Sequence, residues 1–155
     1  MQFCIMEKLN FPDFNFSLKS KENKTYIFDI IRKKWLVLTP EEWVRQHCIQ
    51  FLLKIKNVPL GFLQVERKLV VNNTEKRYDL VVFKPDLSIA LIVECKAPKV
   101  KLTQKAFDQI ARYNTALKSE YLMLTNGLIH FFCKIDSKKG QYHFLQDLPT
   151  YNSKK

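Results

Sequence analysis

Glycine is scarce: the 155 residues hold only Gly61, Gly127 and Gly140. No G-x-x-x-x-G-K run exists among them, so a phosphate-cradling loop is excluded, and with it an ATP-driven motor on this chain. The four cysteines, Cys4, Cys48, Cys95 and Cys133, stand far apart, with no C-x-x-C pair and no histidine at ligand spacing. A zinc site is therefore not expected, and three of the four fall in apolar periodic segments, where they read as small core hydrophobes in a reducing compartment. No stretch approaches the roughly 18 uninterrupted apolar residues of a membrane span. The N-terminus lacks a basic region followed by an apolar run and a small-residue cleavage site. A soluble, cytoplasmic chain with no membrane partner is the expectation.

Acidic residues are the other shortage. Twenty-six Lys and Arg face fifteen Asp and Glu, for a formal charge of +11 and a pI near 9.5. That balance favours a polyanionic partner, nucleic acid first, although the charge is spread along the chain, which leaves a basic but non-binding protein open. The length suits one core. Residues 1–24 read as an N-terminal arm, 25–150 as a single domain and 151–155 as a disordered tail.

Segments 26–31 and 35–38, rich in β-branched and aromatic residues, predict a hairpin around Arg32-Lys33-Lys34. A strong helix start follows in Leu38-Thr39-Pro40-Glu41-Glu42-Trp43: Thr39 as N-cap, Pro40 at the first helical position, Glu42 closing a capping box and Leu38 stapled to Trp43. That helix should run to about Lys56, burying Val44, Cys48, Phe51, Leu52 and Ile55. A strand over 62–71 comes next, closed by Asn72-Asn73. Two short runs over 78–84 and 89–95, apolar on both faces and separated by Pro85-Asp86-Leu87-Ser88, predict a central hairpin covered on both sides. Thr103 caps a crossover helix to about Lys118, leading to a strand at 121–125 parallel to the strand at 89. Asn126-Gly127 signals a type I′ turn into a strand at 128–135.

Chemistry concentrates on the central hairpin. If Lys84 pairs with Ile89, counting outward sets Asp79 directly opposite Glu94 on one face, where like charges are unfavourable. Lys96, two residues beyond Glu94, shares that face, with Arg77 as its cross-strand partner. Two carboxylates and two cations thus meet at the end of an apolar hairpin. They form a self-neutralising salt-bridge cluster, or they hold a cation; oxygen ligands at the edge of a desolvated region suit Mg²⁺ or Mn²⁺.

Arg77-Tyr78-Asp79, a turn, then Glu94-Cys95-Lys96 resembles the D…E-x-K signature of the PD-(D/E)XK nuclease superfamily. With the helix start through His47, Val93-Glu94-Cys95-Lys96-Ala97-Pro98, Gln109-Ile110-Ala111-Arg112-Tyr113-Asn114 and Thr125-Asn126-Gly127, the ordered set resembles the N-terminal nuclease domain of the restriction subunit of type I restriction enzymes. The likeness spans roughly residues 26 to 135, with Tyr78 where the superfamily has proline. It implies an α/β (α+β) restriction-endonuclease-like αβββαβ core, a mixed central sheet flanked by helices, with the N-terminal hairpin added. It also implies Mg²⁺-dependent hydrolysis of DNA phosphodiesters, Mn²⁺ substituting. Asp79, Glu94 and the Cys95 carbonyl would hold the metal, Lys96 would orient water or steady the phosphorane, and Glu42 would complete the site or serve only as a helix cap.

Gln109 and Tyr113, four apart on the crossover helix, match a Q-x-x-x-Y element that contacts DNA in related nucleases, core packing being the other reading of Tyr113. Lys99, Lys101 and Lys105 are phosphate contacts or solvated surface. A surface ion pair is expected between Asp108 and Arg112. A restriction-complex or motor subunit in trans and a homodimer stay open as partners. The alternative function is a non-catalytic nucleic-acid-binding or complex-docking module on the same fold, which metal dependence would distinguish.

Overall fold

The computed structural model describes residues 6–152, the Tyr113 side chain excepted. Three strands come first: β1 (Leu18–Lys21), β2 (Lys24–Asp29) and β3 (Lys34–Val37), in a small antiparallel meander. Helix α1 (Pro40–Gln50) follows, loosening into a π-helical turn at Phe51–Ile55. Then come β4 (Leu63–Val71), β5 (Thr74–Phe83), β6 (Ile89–Cys95), α2 (Gln104–Thr115), β7 (Tyr121–Thr125), β8 (His130–Asp136) and β9 (Gln141–Leu145). The last six strands form one sheet in chain order, antiparallel except where β7 joins β6 in parallel. Among the described residues no helix is long and apolar enough to cross a membrane.

Local chemistry accounts for the element starts. The Thr39 hydroxyl accepts the Glu42 N–H at 3.1 Å and Pro40 opens α1. Thr103 caps α2 in the same way, accepting the Ala106 N–H at 3.1 Å. Between β4 and β5, Asn72 and Asn73 both take positive φ, 51° and 61°, and the flanking Val71 and Thr74 pair directly. That is a type I′ hairpin, whose twist matches its strands.

One helix covers each face of the large sheet. Val44, Cys48 and Ile49 of α1 and Leu52 of the π-helical turn pack with Leu80, Val82, Leu91, Val93 and Met123. Phe107 and Ala111 of α2 pack with Val81, Ile92, Leu122 and Leu124 on the other side. This double cover is why β6 is apolar at almost every position.

Several expectations need correction. The arm is more regular than its composition suggests: Leu18–Lys21 is a strand, joined to β2 through Glu22 and Asn23 at φ 52° and 64°. Tyr151, assigned to a disordered tail, docks instead, its N–H on the Lys56 carbonyl at 2.8 Å and its hydroxyl on the Phe83 carbonyl at 2.9 Å. The turn after β7 is not type I′, because only Gly127 has positive φ there; the Asn126 carboxamide oxygen instead accepts the N–H groups of Leu128 and Ile129 at 3.0 and 2.8 Å. In the central hairpin Phe83, not Lys84, pairs with Ile89, and a bulge beside Phe83 restores the outer register at Val82 and Leu91. Cys48, Cys95 and Cys133 are buried free thiols, and Cys4 lies outside the described residues.

Gly127 closes the seam where arm, helix and sheet meet. Its φ is +87°, and a Cβ there would stand 2.9 Å from Leu9 and 3.0 Å from Val44; its carbonyl accepts the Asn10 N–H at 2.7 Å. Backbone strain and overpacking add at this position, so Gly127→Ala should lower stability by about 2–3 kcal/mol. Urea denaturation measures it, and an unchanged midpoint would contradict the packing described.

Candidate metal and nucleic-acid site

The pleat of β5 slips where the site forms. Leu80 and Val82 face α1, yet Tyr78, two residues earlier, packs with Val81 on the α2 side. On β4, Glu66 takes a left-handed φ of 53°, and Val65 pairs with Leu80 and Arg67 with Tyr78 on either side of it. Such irregularities bend a strand and re-aim its side chains. Here the residue affected is Asp79.

Beyond the Leu80 and Val93 pair, Asp79 and Glu94 are the next positions of the antiparallel register. Each Asp79 oxygen has a donor: Oδ1 accepts Arg45 Nη2 at 2.9 Å and Oδ2 accepts the Cys95 N–H at 2.8 Å. Glu94 is 8% exposed, and its Oε1 is buried and accepts no N–H. Burial first, and the Asp79 charge second, push the Glu94 carboxyl up to about 7, and a hydrogen bond shared with Asp79 adds to the rise; Lys76 and Lys96 pull the other way without cancelling the effect. Two acidic groups share one desolvated corner, and one holds a proton near neutrality.

Glu42 does not complete the capping box. Its N–H makes the cap to Thr39, but its carboxylate binds Arg32 on one oxygen and Arg45 on the other. Arg45 is thus a residue the sequence reading missed, bridging Glu42 to Asp79. Burial works against its charge, but the hydrogen bond to Asp79 and the charges of Glu42 and Asp79 outweigh that and hold the guanidinium protonated. A signal existed: Arg45 lies three and seven residues before Cys48 and Leu52, on the buried helix face. Lys76 was missed as well; it lies 4.9 Å over the Tyr78 ring and acts on Glu94.

The remaining candidates lie at the surface. Lys96 follows the end of β6, its N–H on the Thr125 carbonyl at 2.8 Å, and its side chain is exposed. Arg77, Lys99, Lys101 and Lys105 are also exposed, and none of the five enters an ion pair among the described residues. Arg77 pairs in register with Lys68 of β4. Gln109 is exposed on α2, and Tyr113 lies one turn on, its side chain outside the described residues. Asp108 accepts Tyr142 Oη and Gln104 Nε2 rather than joining Arg112 in an ion pair.

Among the described residues no group of three or more His, Cys, Asp and Glu side chains is arranged to hold a metal. The oxygen pair of Asp79 and Glu94 nonetheless fits a hard cation: both donors are carboxylate, and Glu94 Oε1 is buried and accepts no N–H.

The family model described as type I restriction enzyme R protein N terminus matches residues 40–149. The chain belongs to that family. No curated protein matches it. The matched region starts at the first residue of α1 and takes in Glu42, Arg45, Asp79, Glu94 and Lys96, while Asp29 and Arg32 precede it.

Without divalent metal, the Glu94 side-chain carbon should titrate with a midpoint of about 7 by NMR, and Asp79→Asn should move the midpoint down. The raised value also sets a sign for stability. The favourable contribution is complete below about 4.5, the unfolded value, and is lost as pH rises through about 7. Glu94→Gln should flatten that part of the profile; a Glu94 midpoint near 4.5 would contradict the site described.

Proposed function

We propose that the chain is a metal-dependent nuclease of PD-(D/E)XK type that hydrolyses DNA phosphodiester bonds. The observation that carries this reading is the buried Glu94 oxygen that accepts no N–H, beside Asp79, in a chain of the restriction-enzyme R-protein family. Asp79 and Glu94, with the Cys95 carbonyl, would hold Mg²⁺ or Mn²⁺. When bound, that ion supplies Lewis acidity toward the phosphate and toward a water nucleophile.

The chain's own residues supply the rest. Lys96, exposed beside the carboxylates, orients the attacking water and steadies charge on the phosphorane oxygens. Glu42 acts at one remove, through Arg45. Arg77, Lys99, Lys101 and Lys105 offer exposed cations to backbone phosphates, and Gln109 adds polar contact along α2. The formal charge of +11 draws the polyanion in. A restriction-complex or motor subunit is the partner class this family membership suggests.

The test is cleavage of supercoiled and single-stranded DNA by the wild type and Lys96→Ala, with Mg²⁺, Mn²⁺ or EDTA. Nicking that needs metal and falls at least about 100-fold in Lys96→Ala is the expected result, given what removing one charge-stabilising group costs. DNA binding without cleavage in any metal, including with a restriction-complex partner added, would overturn the assignment in favour of a binding module.

A further inference from the structure

A chain of alternating charges runs from the N-terminal sheet to Asp79. Asp29, at the end of β2, accepts the N–H groups of Ile31 and Arg32 at 2.8 Å and Arg32 Nε at 2.7 Å, so the turn before β3 holds that guanidinium in one direction. Gln46 of α1 donates to the same Asp29 carboxylate at 2.9 Å. Arg32 then reaches Glu42 on α1 and, at 3.4 Å, Glu66 at the irregular point of β4. Glu42 takes Arg45 on its second oxygen, and Arg45 meets Asp79.

A helix cap needs none of this, since the cap runs through the Glu42 N–H. A surface ion-pair cluster does not describe it either: Asp29, Glu42 and Arg45 are buried. With Arg45 on one oxygen and the Cys95 N–H on the other, the Asp79 carboxylate has its plane fixed while each oxygen keeps a lone pair for a further ligand. A guanidinium does this because its planar fork bonds two carboxylates at once, which an ammonium cannot reproduce.

Resting on the metal-site reading above, we propose that Arg45 is a positioning residue that orients Asp79 for a divalent cation, and that Arg32 locks Arg45 through Glu42. The N-terminal sheet, outside the region that defines the family, then forms part of the site. Charge and geometry oppose each other here. A cation beside the carboxylates repels a metal ion, so an Arg45 acting only by charge weakens metal binding, whereas one acting by orientation strengthens it.

The experiment is Mn²⁺ titration followed by electron paramagnetic resonance on the full chain, comparing wild type, Arg45→Lys, Arg45→Gln, Arg32→Gln and Glu94→Gln, with circular dichroism to check folding. Arg45→Lys and Arg45→Gln should both weaken Mn²⁺ binding about 10- to 100-fold, the range lost when an outer partner of a metal ligand is removed. Arg32→Gln should weaken it about tenfold and change the spectrum of the bound ion. Wild-type affinity in Arg45→Lys, or tighter binding in Arg45→Gln, overturns the proposal while Glu94→Gln still loses the ion. If Glu94→Gln binds Mn²⁺ like the wild type, the metal reading itself is overturned. Should the Arg45 variants fail to fold, Arg32→Gln decides: unchanged affinity and spectrum overturn the proposal.

Discussion

Two carboxylates on neighbouring strands share a buried corner, and much of the surrounding architecture bears on that repulsion. Water cannot screen Asp79 from Glu94 well there, so the protein uses three devices. It keeps a proton on Glu94 up to about pH 7. It gives Asp79 a guanidinium and a backbone N–H. It sets Lys76 and Lys96 close enough to pull the Glu94 carboxyl down in part. None of the three gives Glu94 Oε1 an N–H donor. A corner held in this condition is costly for stability alone, and costs of this kind cluster at functional sites.

The sheet makes the corner, and the helices make it dry. Because α1 and α2 cover opposite faces, β6 carries apolar residues on both sides until it reaches Glu94. The break in the pleat at Asp79, opposite the left-handed Glu66, brings that carboxylate within reach of a residue from α1. The N-terminal meander then braces α1 through Asp29, Arg32 and Gln46.

Much of this was legible in the sequence because local rules act over a few residues. The Thr39 and Pro40 start of α1, the Thr103 cap of α2 and the crossover to a parallel β7 all follow from spacing and residue type. The position of Asp79 against Glu94 follows from counting along two strands, although the count ran through a pairing that a bulge corrects. What could not be read was tertiary. The helical spacing sets Arg45 on the buried face of α1 and three residues from Glu42, but does not show that Asp79, 34 residues away, is its second partner. Glu22-Asn23 was passed over because glutamate seldom takes the positive φ that a type I′ turn demands, and Asn126-Gly127 misled because the asparagine side chain closes that turn instead.

The central claim is that Asp79 and Glu94 together hold a divalent cation. Anomalous diffraction from crystals of the chain soaked in Mn²⁺ tests it most directly. A single strong peak beside the Asp79 and Glu94 carboxylates is the expected result. Fully soaked crystals with no peak there, and Glu94 still paired to Asp79 by a proton, would contradict it.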